Sequence, residues 1–242
     1  MPTVDVVVPV YNEQRALPQS VPTLRDFLLS DAFPNEWKII IADNASIDDT
    51  PSVSRTLVDQ FPGEVEYVRI ERKGRGYALK QTWGNSSADV MSYMDVDLST
   101  GLAAFPELIA SIAVGGFGVA TGSRLARDSR TTRSLLRTAL SVGYNTIIKA
   151  AFWTKFSDAQ CGFKAISSEV ARKVLPLIED NNWFFDTELL ILAEKMGYSV
   201  KDIPVEWVED PDTRVKIGST VSEDLRGLWR MRTGRPWRRA RP

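Results

Sequence analysis

Two carboxylates one residue apart follow an apolar run. In Tyr93-Met94-Asp95-Val96-Asp97-Leu98-Ser99, Asp95 and Asp97 come directly after residues 90–94. Side chains at i and i+2 of an extended chain point the same way, so extension would let the two converge just past a strand end. Convergent carboxylates repel unless one takes up a proton or a cation lies between them. A hard divalent ion, Mg2+ or Mn2+, held by oxygen ligands and shared with a phosphate, resolves that conflict. An isolated D-x-D is equally a polar strand exit, where Asp serves turn chemistry, so the surrounding elements must decide.

Those elements alternate. Residues 4–10, 37–42, 65–70 and 90–94 read as strands, rich in Val and Ile. Between them lie helical patterns over 13–29, from Asp48 with Val53, Leu57, Val58 and Phe61 as its stripe, and over 73–83. Strands and helices in this alternation imply an α/β fold with a mainly parallel sheet. Ligands of such sheets bind at the carboxyl ends of the strands. Tyr11-Asn12-Glu13, Asp43-Asn44, residues 73–76 and the aspartate pair all fall on that rim. No glycine-rich turn follows the first strand and no P-loop is present, which argues against a dinucleotide or Walker site. A haloacid-dehalogenase-type phosphatase, with Asp95 as nucleophile, is a rival reading. That family carries its D-x-D on the first core strand, whereas three βα units precede it here.

Composition narrows the chemistry. The chain has 242 residues, 43% of them hydrophobic, no histidine, one cysteine (Cys161) and a net charge of −1. Without histidine there is no His general base, no Ser-His-Asp or Cys-His catalysis and no His-ligated metal. The lone cysteine allows no internal disulfide and fits a reducing compartment. Near-neutral charge gives no case for nucleic acid. No signal peptide is read at the N-terminus and no run approaches the about 18 apolar residues of a membrane span.

Seven short motifs in one order resemble the GT-A glycosyltransferases of family 2, and within them the dolichyl- or polyprenyl-phosphate sugar synthases. They are VVVPVYNE (6–13), IIIADNASIDDT (39–50), RKGRGYALK (72–80), MDVDLS (94–99), GSR (122–124), DAQCGFK (158–164) and WFFDTELL (183–190). The resemblance covers about residues 4–217. It implies a GT-A fold, a Rossmann-like nucleotide-binding sheet flanked by helices with an acceptor-side extension. The expected domain is 1–217, with 1–100 for the nucleotide-sugar and 101–217 for the acceptor, followed by a basic amphipathic segment, 218–242.

By the same resemblance, Pro9, Tyr11, Glu13 and Asp43 hold the nucleotide, Gly74 and Gly76 let the backbone approach it closely, and Lys73 and Arg75 add charge there. Asp97 is the main metal ligand, and Asp95 contacts the metal or the ribose. Ser99 stands where mannosyl members carry a metal-binding Gln, which leaves its ligation open. Ser123, Arg124, Arg133, Arg137 and Gln160 are expected at the acceptor phosphate. Mannosyl members also carry an Arg before a Gly-x-Asn; Val142 takes that place here. Asp158, Asp186 and Glu188 stand where relatives place a base, but a lipid phosphate is already an anion, so they would orient sugar hydroxyls or the acceptor loop. Residues 209–217, with Arg214 and Lys216, resemble a loop that closes over the donor.

Residues 135–153 form an apolar helix that is either core or membrane interface. Every charged residue after Asp224 is Arg, interleaved with Trp229 and Trp237, which suits an anionic membrane surface. The sequence reads as an inverting, metal-dependent transferase moving a hexose from UDP-glucose, or alternatively GDP-mannose, to a polyprenyl phosphate at the cytoplasmic face of a membrane. A silent nucleotide-binding module is the third alternative.

Overall fold

The computed structural model describes residues 1–132, 134–208 and 217–238, without the side chains of 217–220. Nine strands and eight α-helices are formed among the described residues. β1 (Thr3–Val10), β2 (Glu36–Asn44), β3 (Val65–Ile70) and β4 (Val90–Met94) are separated by α1 (Leu17–Leu28), α2 (Thr50–Gln60) and α3 (Arg75–Gly84). α1 starts four residues after the expected position and places Pro18 in its first turn, where a missing N–H is harmless. α2 does the same with Pro51.

The second half adds α4 (Phe105–Ala113), β5 (Val119–Ser123), β6 (Arg130–Thr132), α5 (Leu135–Phe152), β7 (Phe163–Ser167), α6 (Ser168–Val174), α7 (Phe185–Lys195), β8 (Val200–Pro204), β9 (Glu206–Val208) and α8 (Ile217–Gly234). Seven strands form one sheet in the order β3-β2-β1-β4-β7-β5-β8. β7 runs antiparallel to both its neighbours, and the other pairings are parallel. Residues 200–207, whose pattern in the sequence reads as a last strand, are divided. β8 stays in the main sheet, while β9 pairs with β6 in a separate two-stranded ribbon.

Both sheet faces are covered. Val4, Val6, Val8 and Val10 of β1 pack with α1 and α4, while Val7 packs with α3, α5, α6 and α7, the period-two signature of a doubly buried strand. On β4 the second face carries Met91 and Tyr93. The rim beyond them therefore looks onto the starts of α3 and α7.

The two readings of α5 resolve by face. Asn145, Ile148 and Phe152 are buried, while Leu135, Leu136, Leu140 and Ile147 are exposed. α8 joins the same core through Leu228 and Met231, and the short 3-10 turn after it, Pro236–Arg238, through Trp237. Trp237 therefore departs from the expected surface role: its ring packs edge-on against Phe152. Trp229 is the exposed tryptophan of the pair, at 72%.

Candidate active site

β4 stops at Met94 and the chain turns at once. The Leu98 N–H donates to the Asp95 carbonyl at 3.1 Å, Leu98 takes a left-handed φ of 51°, and the Ser99 N–H donates to Asp97 Oδ1 at 2.9 Å. The expected strand-like convergence of Asp95 and Asp97 is thus replaced by a tight turn. An Asp side chain that accepts the N–H two residues on stabilises a turn over a strand. Asp97 is exposed and Ser99 half-buried.

Asp95 is gripped from two sides. Arg75, the first residue of α3, donates from Nη2 to Asp95 Oδ1 at 2.7 Å. On the other side Gly162 leaves no room for a side chain, because a Cβ there would collide with Asp95 Oδ2. The Asp95 N–H also donates to the Gly162 carbonyl at 3.2 Å. Gly162 was not among the expected site residues, and Arg75 was expected only to add charge near the nucleotide. The signal for Arg75 was present as a lone cation between two glycines at a helix start.

Oxygen donors line this corner, and among the described residues no group of three or more Asp, Glu or Cys assembles there. Two carboxylates suit a hard divalent ion that completes its shell with substrate phosphate and water, so the residues fit the implied Mg2+ or Mn2+.

The loops after β1 and β2 are stitched together. The Asn12 N–H donates to Ser46 Oγ at 2.9 Å, the Glu13 N–H to Thr50 Oγ1 at 2.8 Å, and Ile47 N–H to Asn12 Oδ1 at 2.9 Å. Tyr11 presents its ring to Lys73, whose Nζ stands 3.7 Å from the centroid. Pro9 is half-buried and pairs in register with Ala42. Asp43 is fully buried. Its Oδ1 accepts the Ser46 N–H at 2.9 Å, and its Oδ2 accepts the Tyr67 hydroxyl and Arg69 Nη1, each at 2.7 Å. Burial alone would raise the Asp43 carboxyl, but these donors outweigh it and hold it below its usual value. Burial and the bond to Asp43 push the Tyr67 phenol up to about 12.

Gly74 has φ 151°, and a Cβ there would lie 2.5 Å from the Asn181 carbonyl oxygen; at Gly76 it would lie 2.5 Å from Phe185 Cβ. In the structure their close backbone approach is to residues 181–185, at and just before the start of α7. Only glycine lets the two helix starts meet at this separation.

On the acceptor side, Arg124 is committed to Asp158. Its Nε and Nη2 donate to the carboxylate at 2.7 and 3.0 Å, and its backbone N–H at 3.1 Å. Asp158 is fully buried. Burial would raise its carboxyl, but Arg124 holds it low. The expected phosphate arginine is thus already paired, bidentately, inside the protein. Ser123 Oγ bonds Ser157 Oγ at 2.6 Å, and Gln160 Nε2 donates to Asp224 Oδ2 at 2.8 Å. The Arg137 N–H caps α5 through Ser134 Oγ at 3.4 Å. Arg133, Arg214 and Lys216 lie outside the described residues.

Asp186 and Glu188 separate, since residues two apart on a helix do not share a face. Asp186 points to the rim, where Arg75 Nη1 donates at 2.7 Å, Lys164 Nζ lies 3.2 Å away and the Tyr93 hydroxyl donates. Burial raises its carboxyl, but Lys164 and Arg75 more than offset that and leave it below its usual value. Glu188 instead accepts the backbone N–H groups of Glu179 and Asp180 at 3.3 and 2.9 Å, and Arg230 of α8 at 2.8 Å. These bonds hold the 179–180 segment against α8.

This doubly covered, mainly parallel sheet with a D-x-D turn on its carboxyl rim is that of a GT-A glycosyltransferase. The chain belongs to glycosyl transferase family 2, whose profile matches residues 5–175. It is similar to glycosyltransferase AglD of Haloferax volcanii, with 34% identity over 96% of this chain and 38% of that protein. It is also similar to the dolichyl-phosphate beta-glucosyltransferase of Dictyostelium discoideum, with 27% identity over 94% of this chain and 73% of that one. The chain thus spans well under half of AglD and about three quarters of the Dictyostelium enzyme. Among solved structures, the glucosyl-3-phosphoglycerate synthase of Mycobacterium tuberculosis in complex with UDP superposes with a TM-score of 0.71 at 20% identity, covering 96% of this chain and 80% of that one. The mannosyltransferase PcManGT of Pyrobaculum calidifontis, in complex with GDP-Man and Mn2+, gives 0.60 at 20% identity, over 96% and 61%. These two likenesses establish the fold. Family membership displaces the phosphatase reading.

Proposed function

We propose that the chain transfers glucose from UDP-glucose to the phosphate of a polyprenyl lipid of dolichyl type, with inversion at C1. The observation that carries the reading is the pair Asp95 and Asp97 on a turn at the carboxyl rim, in a chain whose relatives include dolichyl-phosphate beta-glucosyltransferases. UDP-glucose is preferred to GDP-mannose on those relatives' names. A bound divalent ion, Mg2+ or Mn2+, supplies Lewis-acid stabilisation of the departing diphosphate.

The protein's own residues do the rest. Asp97 and Asp95 hold the ion, with Ser99 stabilising the turn through its N–H. Tyr11 offers a face to the base, beside Asp43. Pro9, Glu13 and Lys73 border the nucleotide, and Arg214 and Lys216 belong to the segment assigned to closing over it. Ser123, Arg137 and Arg133 stand on the acceptor side, with Arg124 and Asp158 shaping it as a fixed pair. The acceptor oxygen is anionic near neutral pH and attacks C1 from the face opposite the diphosphate without a base. We place residues 1–100 at the donor, 101–217 at the acceptor, and 218–242 against a bilayer.

No helix among the described residues is long and apolar enough to cross a membrane. The exposed apolar face of α5, and Val221, Leu225 and Trp229 on α8 beside Arg226 and Arg232, support attachment to an anionic membrane surface, which we take to be the cytoplasmic face. The test is transfer of labelled glucose from UDP-glucose to polyprenyl phosphate in detergent with Mn2+, run beside GDP-mannose. Labelled lipid from UDP-glucose is the expected result. Labelled lipid from GDP-mannose alone corrects the donor. UDP and Mn2+ binding in calorimetry with no lipid product from either donor makes the chain a silent nucleotide-binding module.

Gly162→Ala gives a second check. The added methyl meets the end of a short side chain, so the Asp95 carboxylate moves and the backbone stays. We expect affinity for UDP with Mn2+ to fall about 10- to 100-fold, the usual effect of disturbing a ligand's support, with the thermal midpoint changed by a few degrees at most. Calorimetric titration of the variant measures it.

A further inference from the structure

Arg75 is placed unlike an ordinary surface cation. Its side chain is 11% exposed. Its guanidinium lies between the rings of Tyr93 and Trp183, 4.8 and 5.2 Å from their centroids. One terminal nitrogen donates to Asp95 and the other to Asp186, both at 2.7 Å. Arginine's rigid fork suits two such partners, where a lysine could meet one at a time. Asp186 is itself fixed from two further elements, by the Tyr93 hydroxyl of β4 and by Lys164 of β7.

Lys164 extends the connection to the other side of Asp95. It is fully buried, and its ammonium donates to the Ala159 and Cys161 carbonyls at 3.1 and 2.5 Å. It thereby holds the loop that presents Gly162 to Asp95. The glycines at 74 and 76 seat the start of α3 on residues 181–185, so Arg75 and Asp186 approach from helix ends that are packed together.

We propose that Arg75 is a positioning residue for the donor site, holding Asp95 in the orientation that receives the diphosphate-bound cation, and that Asp186 anchors Arg75 and does not accept a proton in the reaction. The inference rests on the nucleotide-sugar reading above. Arg75 also offsets the Asp95 charge while the site awaits its donor, so the turn bearing two carboxylates forms without a metal. Asp186, held by Arg75, Lys164 and Tyr93, has both its oxygens engaged by groups of the protein itself.

Binding and turnover separate the possibilities. Affinity for UDP–Mn2+ is measured by calorimetry, and kcat and KM for UDP-glucose by transfer, in the wild-type chain, Arg75→Gln, Arg75→Lys, Asp186→Asn and the Arg75→Gln/Asp186→Asn double variant. Circular dichroism melts confirm that each is folded. We expect Arg75→Gln to weaken UDP–Mn2+ about 10- to 100-fold, Arg75→Lys to recover part of that loss, and Asp186→Asn to act in the same direction. The double variant should be little worse than Arg75→Gln, because both changes cut one connection.

Folded Arg75→Gln that binds UDP–Mn2+ like wild type overturns the proposal, even if its melting temperature is lower. So does Asp186→Asn that binds normally but loses kcat and the acid limb of its pH–rate profile, which is the behaviour of a base. If Arg75→Gln does not fold, Arg75→Lys and Asp186→Asn carry the same test. Wild-type protein that binds no UDP–Mn2+ defeats the nucleotide-sugar reading itself, whereas normal wild-type binding with indifferent variants defeats only the role of Arg75.

Discussion

Asp97→Ala is expected to lower sugar transfer at least about a thousandfold while leaving the protein folded. A coordinated cation contributes several kcal/mol to stabilising a leaving diphosphate, and a factor of a thousand corresponds to about 4 kcal/mol. Asp97 is exposed and packs in no core cluster, so folding should hardly register its loss. The substitution does remove the acceptor of the Ser99 N–H, worth about 1 kcal/mol. Asp97→Asn separates the two effects, because its amide oxygen can still accept that bond while its affinity for a hard cation is poor. Transfer lost in both variants, with thermal midpoints near wild type, is the expected pattern. Full turnover in Asp97→Asn would remove the carboxylate from the mechanism.

Asp224→Asn is expected to stabilise the protein strongly at pH 8 and scarcely at pH 4. Asp224 is 3% exposed. Gln160 donates to its Oδ2, while Oδ1 has no hydrogen-bond partner among the described residues. Burial, aided by repulsion from Asp180 and Glu223, outweighs the Gln160 bond and pushes the carboxyl up to about 7 from 3.8. The folded state therefore binds this proton more tightly than the unfolded state. Between about pH 4 and pH 7 the folded chain holds the extra proton, so stability falls as pH rises; above pH 7 both states have lost it and this contribution is flat. At 1.36 kcal/mol for each pH unit between the two values, the full loss is about 4 kcal/mol. Asparagine stays neutral, keeps an oxygen for Gln160 and removes the slope. Urea unfolding at pH 5 and pH 8 measures it: the wild-type midpoint should drop between the two, and that of the variant should drop much less. Equal drops in both would show that Asp224 is ionised at no cost.

Much of this molecule was readable from local pattern. The expected boundaries at 65–70 and 90–94 coincide with β3 and β4, because each is a β-branched or apolar run bounded by turn residues. β7 was not foreseen. Phe163-Lys164-Ala165-Ile166-Ser167 carries a lysine in mid-strand, which reads as exposed, yet that lysine is fully buried. Its charge is met by carbonyls from the preceding loop and by Asp186 on another element, partners no local pattern can announce. Residues 200–207 likewise read as one extended run. Their division into β8 and β9 depends on β6, some 70 positions earlier.

The aspartate pair illustrates the same boundary. Sequence alone placed Asp95 and Asp97 at the carboxyl end of a strand, on a rim shared with Tyr11, Asp43 and the 73–76 turn, because hydrophobic periodicity and turn chemistry act over a few residues. It also settled what the chemistry cannot use, since a chain without histidine has no imidazole to offer. Only the tertiary structure decided that the pair sits on a turn, that Gly74 and Gly76 face α7, that Arg124 is bound to Asp158, and that Asp186 and Glu188 serve different neighbours. Each of these depends on which charge or backbone group arrives from a distant element. A buried ion pair is fixed by the position of both partners, and the chain that carries one of them does not specify the other.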